Sequence, residues 1–323
     1  MKRWLAPALL AVAAAAVLPL SAGEGDRIVL YPAYGDGDTC IVEGRVIATR
    51  EYAEVGDDDG RLRNLRRNLG WLINDERKGV AVEVELGGHR LQTRSDREGY
   101  FRVDARLALL PGWHEVRARS AAGEGAGTLL VVSRENALGL ISDVDDTILV
   151  SEVTRKARLL ANSLLANAAQ REAVAGMAVL YAQTLATNAD PSSAPLFYLS
   201  ASPRQLHEPI SDFVARNGFP AGVLITKRVT NDRSSEPLFD QFAYKIRHIE
   251  DILARLPWVR FILVGDDGER DPEVYEWLQR HYPERIAAVW IRRVSPGADD
   301  MPLHDAQQDL AALLGGVDME PAP

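Results

Sequence analysis

The feature that most constrains this chain is a change in hydrophobic period near Asn136. Between Arg27 and Val132, apolar and polar residues alternate in several segments, and valine or leucine recurs at every second position of Val80–Leu86. Such alternation predicts strands with one face on a core and one in water. After Asn136, short apolar runs alternate with helical stretches, which predicts a mostly parallel sheet with helices on both faces. The chain therefore divides into an antiparallel β unit and a following α/β unit.

The first unit is predicted to be a small antiparallel β-sandwich over residues 24–135. Gly87-Gly88 is typical of a two-residue hairpin loop, and Ser95–Gly99 of a second turn. The stretch LQTRSDREGYFRV, Leu91–Val103, resembles a turn of transthyretin-like sandwich domains. Within this unit, leucines at helical spacing and several arginines predict a basic amphipathic helix over Arg61–Ile73. That helix could pack on the sandwich or lie on anionic lipid, and the sequence leaves both open.

Residues 1–22 have the order of a secretory signal: a basic start, the apolar run Leu5–Leu20, and small residues. The run is shorter than the roughly 20 apolar residues of a membrane span, which favours a cleaved signal and no transmembrane span in the mature chain. Arginine outnumbers lysine and alanine is abundant, as in bacterial proteins from GC-rich genomes. We therefore expect an exported bacterial protein, periplasmic or extracellular.

Composition excludes several functional classes. The 323 residues contain one cysteine, Cys40, and six histidines far apart in sequence. An internal disulfide, a cysteine-based zinc site and a HExxH protease site are therefore excluded. The net charge of -9 argues against nucleic acid as a partner and against anionic membrane as a bulk partner.

The α/β unit is predicted to span residues 136–296, with a C-terminal helix near Ala306–Leu314 and a loose tail in residues 297–323. Two helices are predicted at Tyr244–Leu256 and Asp271–His281. The predicted strands are Leu138–Ile141, Leu196–Leu199, Val223–Ile225, Phe261–Val264 and Ile286–Ile291.

Polar side chains follow three of these strands, at the edge where ligands bind in such sheets. They comprise carboxylates, two hydroxyls and one amine that opens a helix: Asp143, Asp145, Thr147, Ser200, Lys245, Asp266 and Asp271. Clustered carboxylates repel one another and need a cation, and an oxygen-rich set suits Mg²⁺. A carboxylate can also attack phosphorus. An EF-hand is excluded, because Thr147, Ile148 and Thr154 occupy the positions where its loop needs Asp or Asn, Gly and Glu.

As an ordered set, these residues resemble the haloacid dehalogenase superfamily of phosphatases. More narrowly, the second unit resembles the actin-patch phosphatidate phosphatase family and its bacterial members. The segments that carry the resemblance are Ile141–Leu149, Phe197–Leu206, Tyr244–Leu256, Phe261–Tyr275 and Ala288–Val294. Two residues depart from the family pattern. Arg204 stands where an aromatic residue is common, and Asp267 stands where Ser is usual, which adds a negative charge beside the metal motif.

The resemblance implies a Rossmann-like, haloacid dehalogenase-like fold and a division of roles. Asp143 is expected to attack phosphorus, and Asp145 to act as general acid and then general base. Ser200 would bind the phosphoryl oxygens, Lys245 would neutralise them, and Thr147 would orient the first loop. Mg²⁺ is the expected cofactor. Its expected ligands are Asp143, the backbone carbonyl of Asp145, and Asp266, with Asp271 as a further ligand or a support for one. Expected substrate contacts are Ser202, Arg204 and Arg233.

The expected function is Mg²⁺-dependent hydrolysis of a phosphate monoester through an aspartyl-phosphate. The family suggests phosphatidate as substrate, with diacylglycerol as product, and hence a phospholipid partner at a membrane surface. Two alternatives stay open at this point: a phosphatase of small soluble phosphate esters, and a non-enzymatic exported binding module whose α/β unit is a scaffold. The sequence identifies no protein partner.

Overall fold

We describe the chain from a computed structural model, which covers residues 22–50, 77–150, 172–229, 236, 240–295, 297 and 302–316. The predicted signal segment lies outside these residues except for Ala22. The predicted Arg61–Ile73 helix and the predicted substrate contact Arg233 also lie outside them. Among the described residues, no helix is both long and apolar enough to cross a bilayer.

The first half of the chain forms one eight-stranded sheet in which every pairing but one is antiparallel. The exception is β2, which runs parallel to β8. The predicted antiparallel unit is thus confirmed, while its classification as a sandwich stays a prediction. The strands are β1 Ala22–Tyr31, β2 Ala33–Gly35, β3 Thr39–Arg50, β4 Ala81–Leu86, β5 His89–Arg94, β6 Tyr100–Arg106, β7 Gly112–Arg119 and β8 Glu124–Val131.

The β4–β5 hairpin shows how the local sequence determines this sheet. Val82, Val84 and Leu86 are buried on one face of β4. Leu86 pairs with His89 across the two-residue loop, where Gly87 and Gly88 have φ values of 57° and 79°. Glycine adopts positive φ angles without steric cost, so two glycines suit both loop positions, and the predicted hairpin is confirmed.

The second half contains a six-stranded parallel sheet with the order β13-β12-β9-β14-β15-β16. Each of the five predicted strands lies within an observed one. A separate two-stranded pair joins β10 and β11. The strands are β9 Leu138–Asp143, β10 Leu149–Val150, β11 Glu172–Ala173, β12 Leu196–Pro203, β13 Val223–Lys227, β14 Arg260–Asp266, β15 Ile286–Arg292 and β16 Gln307–Asp309. The helices are α1 Met177–Leu185, α2 His207–Arg216, α3 Gln241–Arg255, α4 Asp271–His281 and α5 Leu310–Leu314.

The C-terminal segment corrects one prediction. The expected helix over Ala306–Leu314 is partly a strand, because Gln307–Asp309 pairs with β15 as β16. Ala306 has a positive φ of 64°, which is incompatible with helix, so the helix begins only after Asp309. The Asp309 side chain then accepts from the backbone N–H of Ala311 at 2.9 Å, as an N-cap does.

The two faces of the parallel sheet support separate apolar cores. In β14, Ile262 and Val264 belong to one buried cluster, while Phe261 and Leu263 belong to the other. This alternation follows from the two-residue period of a strand. The second cluster also contains Leu130 and Val132 from the end of the first sheet. The first unit therefore packs directly on the second and shares a core with it.

Candidate active site

Three neighbouring strands of the parallel sheet bring the predicted site residues together. Strand β9 ends at Asp143 and β14 ends at Asp266, and these two strands pair in parallel. On the other side of β9, β12 carries Ser200. Because parallel strands have their carboxyl ends at one edge, all three side chains belong to the same crevice.

The centre of the crevice is a cluster of three carboxylates and one amine. Oxygens of Asp143, Asp266 and Asp271 lie within 4.8 Å of one another, and none of these residues is more than 4% exposed. The Lys245 Nζ atom, on α3, is 2.8 Å from Asp143 Oδ1 and also contacts Asp271. One ammonium offsets one of the three carboxylate charges when all are ionised, so the cluster is complementary to a divalent cation.

Burial and mutual repulsion change the protonation of this cluster. Burial, reinforced by the charge of Asp271, raises the pKa of Asp266 to about 8. Burial also raises the pKa of Asp143 well above its usual value and that of Asp271 above its own, although Lys245 opposes both shifts. Burial alone would lower the pKa of Lys245, but Asp143 and Asp271 raise it well above its usual value. Lys245 therefore stays charged while the carboxylates favour a proton or a cation.

The donor set suits a hard divalent metal ion. Its atoms are carboxylate oxygens, which such ions prefer, and among the described residues no sulfur or imidazole ligand belongs to the cluster. Burial and the charge of Asp271 raise the pKa of Asp266, so a bound cation would stabilise its ionised form. Asp143, Asp266 and Asp271 are accordingly the side chains of this crevice that could hold the ion.

These shifts predict how stability varies with pH in the absence of metal. The folded pKa of Asp266 is about 8, whereas an unfolded Asp titrates near ~4. Between these two pKa values, the folded state retains a proton on Asp266 that the unfolded state has lost. The stability that this proton contributes is lost as the pH rises from the unfolded pKa through about 8. In EDTA, we expect the free energy of unfolding to increase by on the order of 1 kcal/mol per unit as the pH falls from 8 to 6.

Urea denaturation at several pH values checks this expectation. The matched variant is Asp266→Asn, which removes the titrating group and should flatten the dependence. Added Mg²⁺ should stabilise the wild-type chain more at pH 8 than at pH 6, because protons compete with the ion for the same oxygens. If the free energy of unfolding varies with pH equally in the wild-type chain and in Asp266→Asn, Asp266 does not cause the pH dependence.

The carboxylate of Asp145 faces a different part of the crevice. Its Oδ2 atom accepts from the hydroxyls of Ser200 at 3.1 Å and Ser202 at 3.3 Å. Asp145 is therefore outside the three-carboxylate cluster, although it lies only two residues after Asp143. This arrangement is compatible with a proton-transferring side chain.

Thr147 connects the first loop to the β14 end. Its Oγ1 atom donates to Asp266 Oδ2 at 3.0 Å, and it is fully buried. Between Asp145 and Thr147, Asp146 has a φ of 59°, a left-handed conformation that Asp tolerates better than most residues. The loop thus turns sharply after Asp145, which places the Thr147 hydroxyl on the neighbouring carboxylate.

Two basic residues near the crevice escaped the sequence analysis. Lys227, at the end of β13, is 1% exposed and lies 4.6 Å from the Tyr244 ring centroid, and Tyr244 in turn donates to the Ser200 carbonyl at 3.0 Å. Arg292, at the end of β15, donates to the carbonyl of Asp146. Both predicted strands stopped at their last apolar residue. The feature that could have found them is a basic residue one or two positions after the last apolar residue of a predicted strand.

The structure also shows where the two residues that depart from the family pattern, Asp267 and Arg204, are located. Asp267 Oδ1 accepts from the backbone N–H groups of Val294 and Ser295 at 2.7 and 2.8 Å. Its negative charge thus binds the loop after β15 instead of joining the three-carboxylate cluster. Arg204 lies at the contact between the two units, where it pairs with Glu43.

Gly265 is required for the position of Asp271. A Cβ atom at this residue would lie 2.7 Å from the Tyr275 ring and closer still to Asp271 Oδ2. We expect Gly265→Ala to lower the free energy of unfolding by about 1–3 kcal/mol through overpacking against Asp271 and Tyr275. Thermal unfolding measures this effect. The matched control is Gly315→Ala, whose Cβ would meet nothing closer than 3.6 Å, and an equal loss in both variants would contradict the packing argument.

The sequence comparison agrees with this geometry. Residues 138–293 match the family described as phosphatidate phosphatase APP1, catalytic domain. The second unit resembles this family. This chain is 34% identical over 170 residues to phosphatidate phosphatase APP1 of Saccharomyces cerevisiae, covering 53% of this chain and 28% of the yeast protein. It is 26% identical over 159 residues to an uncharacterised protein of Schizosaccharomyces pombe, covering 49% of this chain and 26% of that protein.

The chain thus aligns with only about a quarter of the length of these curated relatives. Among solved structures, a carbohydrate acetylesterase from Xanthomonas citri overlaps with 93% of this chain and 73% of its own, with a TM-score of 0.33 and 11% identity. The region that matches the family, residues 138–293, begins at Leu138, the first residue of β9, and ends one residue after β15. It therefore contains every residue of the carboxylate cluster.

Proposed function

We propose that the chain is a Mg²⁺-dependent phosphatase that forms an aspartyl-phosphate on Asp143. The observation that carries the proposal is the cluster of Asp143, Asp266 and Asp271, in which the Lys245 ammonium contacts Asp143 and Asp271. A phosphoryl group carries negative charge on its peripheral oxygens, and it can approach an anionic nucleophile only where positive charge offsets that repulsion. The similarity of residues 138–293 to a phosphatase catalytic domain supports the same reaction.

In the first proposed step, an Asp143 oxygen attacks phosphorus and the bond from phosphorus to the ester oxygen breaks. Asp145 donates a proton to that leaving oxygen. In the second step, water attacks the phosphorus of the aspartyl-phosphate, Asp145 accepts the proton of that water, and Asp143 is released as a carboxylate. The hydrogen bonds from Ser200 and Ser202 hold the Asp145 carboxyl group in position for these proton transfers.

The remaining residues would stabilise charge. Asp143, Asp266, Asp271 and the Asp145 carbonyl would hold Mg²⁺, which supplies neutralising charge for the phosphoryl oxygens when bound. Lys245 supplies a second positive charge that is already fixed beside Asp143. The Ser200 hydroxyl, which donates to Asp145 in this structure, would donate instead to a phosphoryl oxygen of bound substrate. Thr147 orients Asp266, since it donates to that carboxylate.

Two substrate classes are supported by different observations. The relative from Saccharomyces cerevisiae is named a phosphatidate phosphatase, which supports phosphatidate and a contact with phospholipid. The scarcity of exposed apolar side chains supports small soluble phosphate esters as substrates. Within the part of the chain that the structure describes, Leu110 is the one large hydrophobic residue that is strongly exposed, at 80%. Bilayer contact normally uses a larger apolar surface.

Turnover by the full-length chain separates these proposals. We expect hydrolysis of p-nitrophenyl phosphate with Mg²⁺ and its loss in EDTA, whereas a non-enzymatic binding module would be inactive in both. Phosphatidate vesicles and soluble glycerol or sugar phosphates, compared at equal phosphate concentration, then identify the substrate class. The proposed site of action is the periplasm or the extracellular space, which fractionation of the producing bacterium would test.

A further inference from the structure

Arg204 connects the first unit to the loop that carries the catalytic hydroxyls. We call Ser200–Arg204 the serine loop. Arg204, the last residue of the serine loop, opens a short 3-10 turn. The Nη2 atom of Arg204 is 2.5 Å from Oε2 of Glu43, which lies on β3 of the first sheet. Only 14% of the Arg204 side chain is exposed. This ion pair is therefore a largely buried bridge between the units.

The surroundings keep both charges in place. The Arg204 guanidinium lies 4.8 Å from the ring centroid of Tyr31 and 5.6 Å from that of Tyr100, both in the first sheet. Burial alone would raise the pKa of Glu43, but Arg204 holds it below its usual value. Buried, charge-assisted pairs with aromatic contacts have defined geometry, unlike exposed pairs.

The serine loop needs such an external support. Strand β12 pairs regularly with β13 from Phe197 to Ser200, and the register then shifts between Ser200 and Pro203. The regular backbone ladder that holds the start of β12 thus does not continue through Ser202. The Ser202 hydroxyl nevertheless reaches the same Asp145 oxygen as the Ser200 hydroxyl. The Glu43–Arg204 pair lies at the far end of this irregular stretch.

We propose that Glu43 and Arg204 are positioning residues that hold the serine loop in its catalytic geometry, so that the first unit determines the activity of the second. This inference rests on the proposed phosphatase function. The expectation that Arg204 contacts substrate stays a prediction beside it. The first unit acts through Arg204 on the placement of Ser200 and Ser202, and not on the carboxylates that would hold the metal.

The test uses Glu43→Gln and Arg204→Met in the full-length chain, singly and together. A displacement of about 1 Å can cost on the order of 100-fold in rate, so we expect kcat to fall by about 10-fold or more, with a smaller change in KM. The double variant should be no worse than the more impaired single variant, because both disrupt one contact. The Mg²⁺ concentration for half-maximal activity should change less than about twofold, since the carboxylate cluster is untouched.

Two control variants match the changes. Arg102→Met removes the other arginine that contacts Glu43, at 3.4 Å, but leaves the bridge intact. Arg27→Met removes another ion pair between the units, to Glu208, whose side chain is 41% exposed. We expect both to keep kcat within about twofold, as exposed pairs contribute little. Thermal unfolding of every variant identifies any that fails to fold, and Glu43→Gln is the milder change should Arg204→Met do so.

Hydrogen exchange tests the bridge independently of activity. The Ser202 backbone N–H donates to Ser200 Oγ at 3.1 Å, and the Gly268 N–H donates to Asp266 Oδ1 at 2.7 Å. Glu43→Gln should accelerate exchange in the serine loop and leave Gly268 unchanged. If the wild-type chain is inactive, the proposed phosphatase function is rejected. Hydrogen exchange would still show whether the Glu43–Arg204 pair holds the serine loop. An active wild-type chain whose bridge variants keep kcat and exchange unchanged would overturn only the positioning role.

Discussion

The Asp143→Asn variant is expected to lose turnover by about 1,000-fold or more, because an amide does not form the covalent intermediate. The change is nearly isosteric, and the asparagine oxygen can still accept from Lys245. In EDTA, the variant should unfold at the same temperature as the wild-type chain or higher, since one buried negative charge is removed from the cluster. Steady-state turnover and thermal unfolding measure the two effects, and mass spectrometry of acid-quenched enzyme detects the intermediate.

Asp267→Asn is the matched control. It makes the same chemical change at a carboxylate that binds backbone N–H groups outside the cluster, and an asparagine oxygen can accept from the same groups. It should retain turnover within about threefold, as expected for a substitution away from the reacting groups. Wild-type turnover by Asp143→Asn would exclude Asp143 as the nucleophile and leave the fold description intact.

Lys245→Met is expected to affect both activity and stability strongly. The side chain is 2% exposed, and its ammonium contacts Asp143 and Asp271, so its loss leaves three buried carboxylates without their nearest positive charge. Removing one partner from a buried charge pair costs about 3–5 kcal/mol. Loss of one stabilising group at a charged transition state typically lowers the rate on the order of 100- to 1,000-fold.

The pH dependence distinguishes this electrostatic effect from lost packing. Protonation of the carboxylates removes the repulsion, so the stability deficit of Lys245→Met in EDTA should shrink as the pH falls from 8 to 6. Mg²⁺ should also restore part of the stability. Lys78→Met removes the same charge from an exposed position and should change neither stability nor turnover appreciably. A deficit that is constant with pH and unaffected by Mg²⁺ would indicate a packing effect.

The sequence predicted the site residues that directly follow correctly predicted strands. Asp143, Ser200 and Asp266 follow apolar runs, and the carboxyl ends of parallel strands meet at one edge whatever the details of the fold. The limits of this reasoning appear at Lys227 and Arg292. Hydrophobic patterning ends at the last apolar residue, but the backbone ladder continues through polar residues, so the predicted strands stopped before these two basic residues.

The amino-acid sequence by itself determined the two units, the hairpin at Gly87-Gly88 and the gathering of carboxylates at one sheet edge, because these depend on local periodicity and backbone preference. The tertiary structure alone decided which partner each polar side chain meets. Thr147 reaches Asp266 across 119 positions, and Arg204 reaches Glu43 across 161. Such contacts depend on how separate elements pack in three dimensions, and no pattern within either segment specifies the partner.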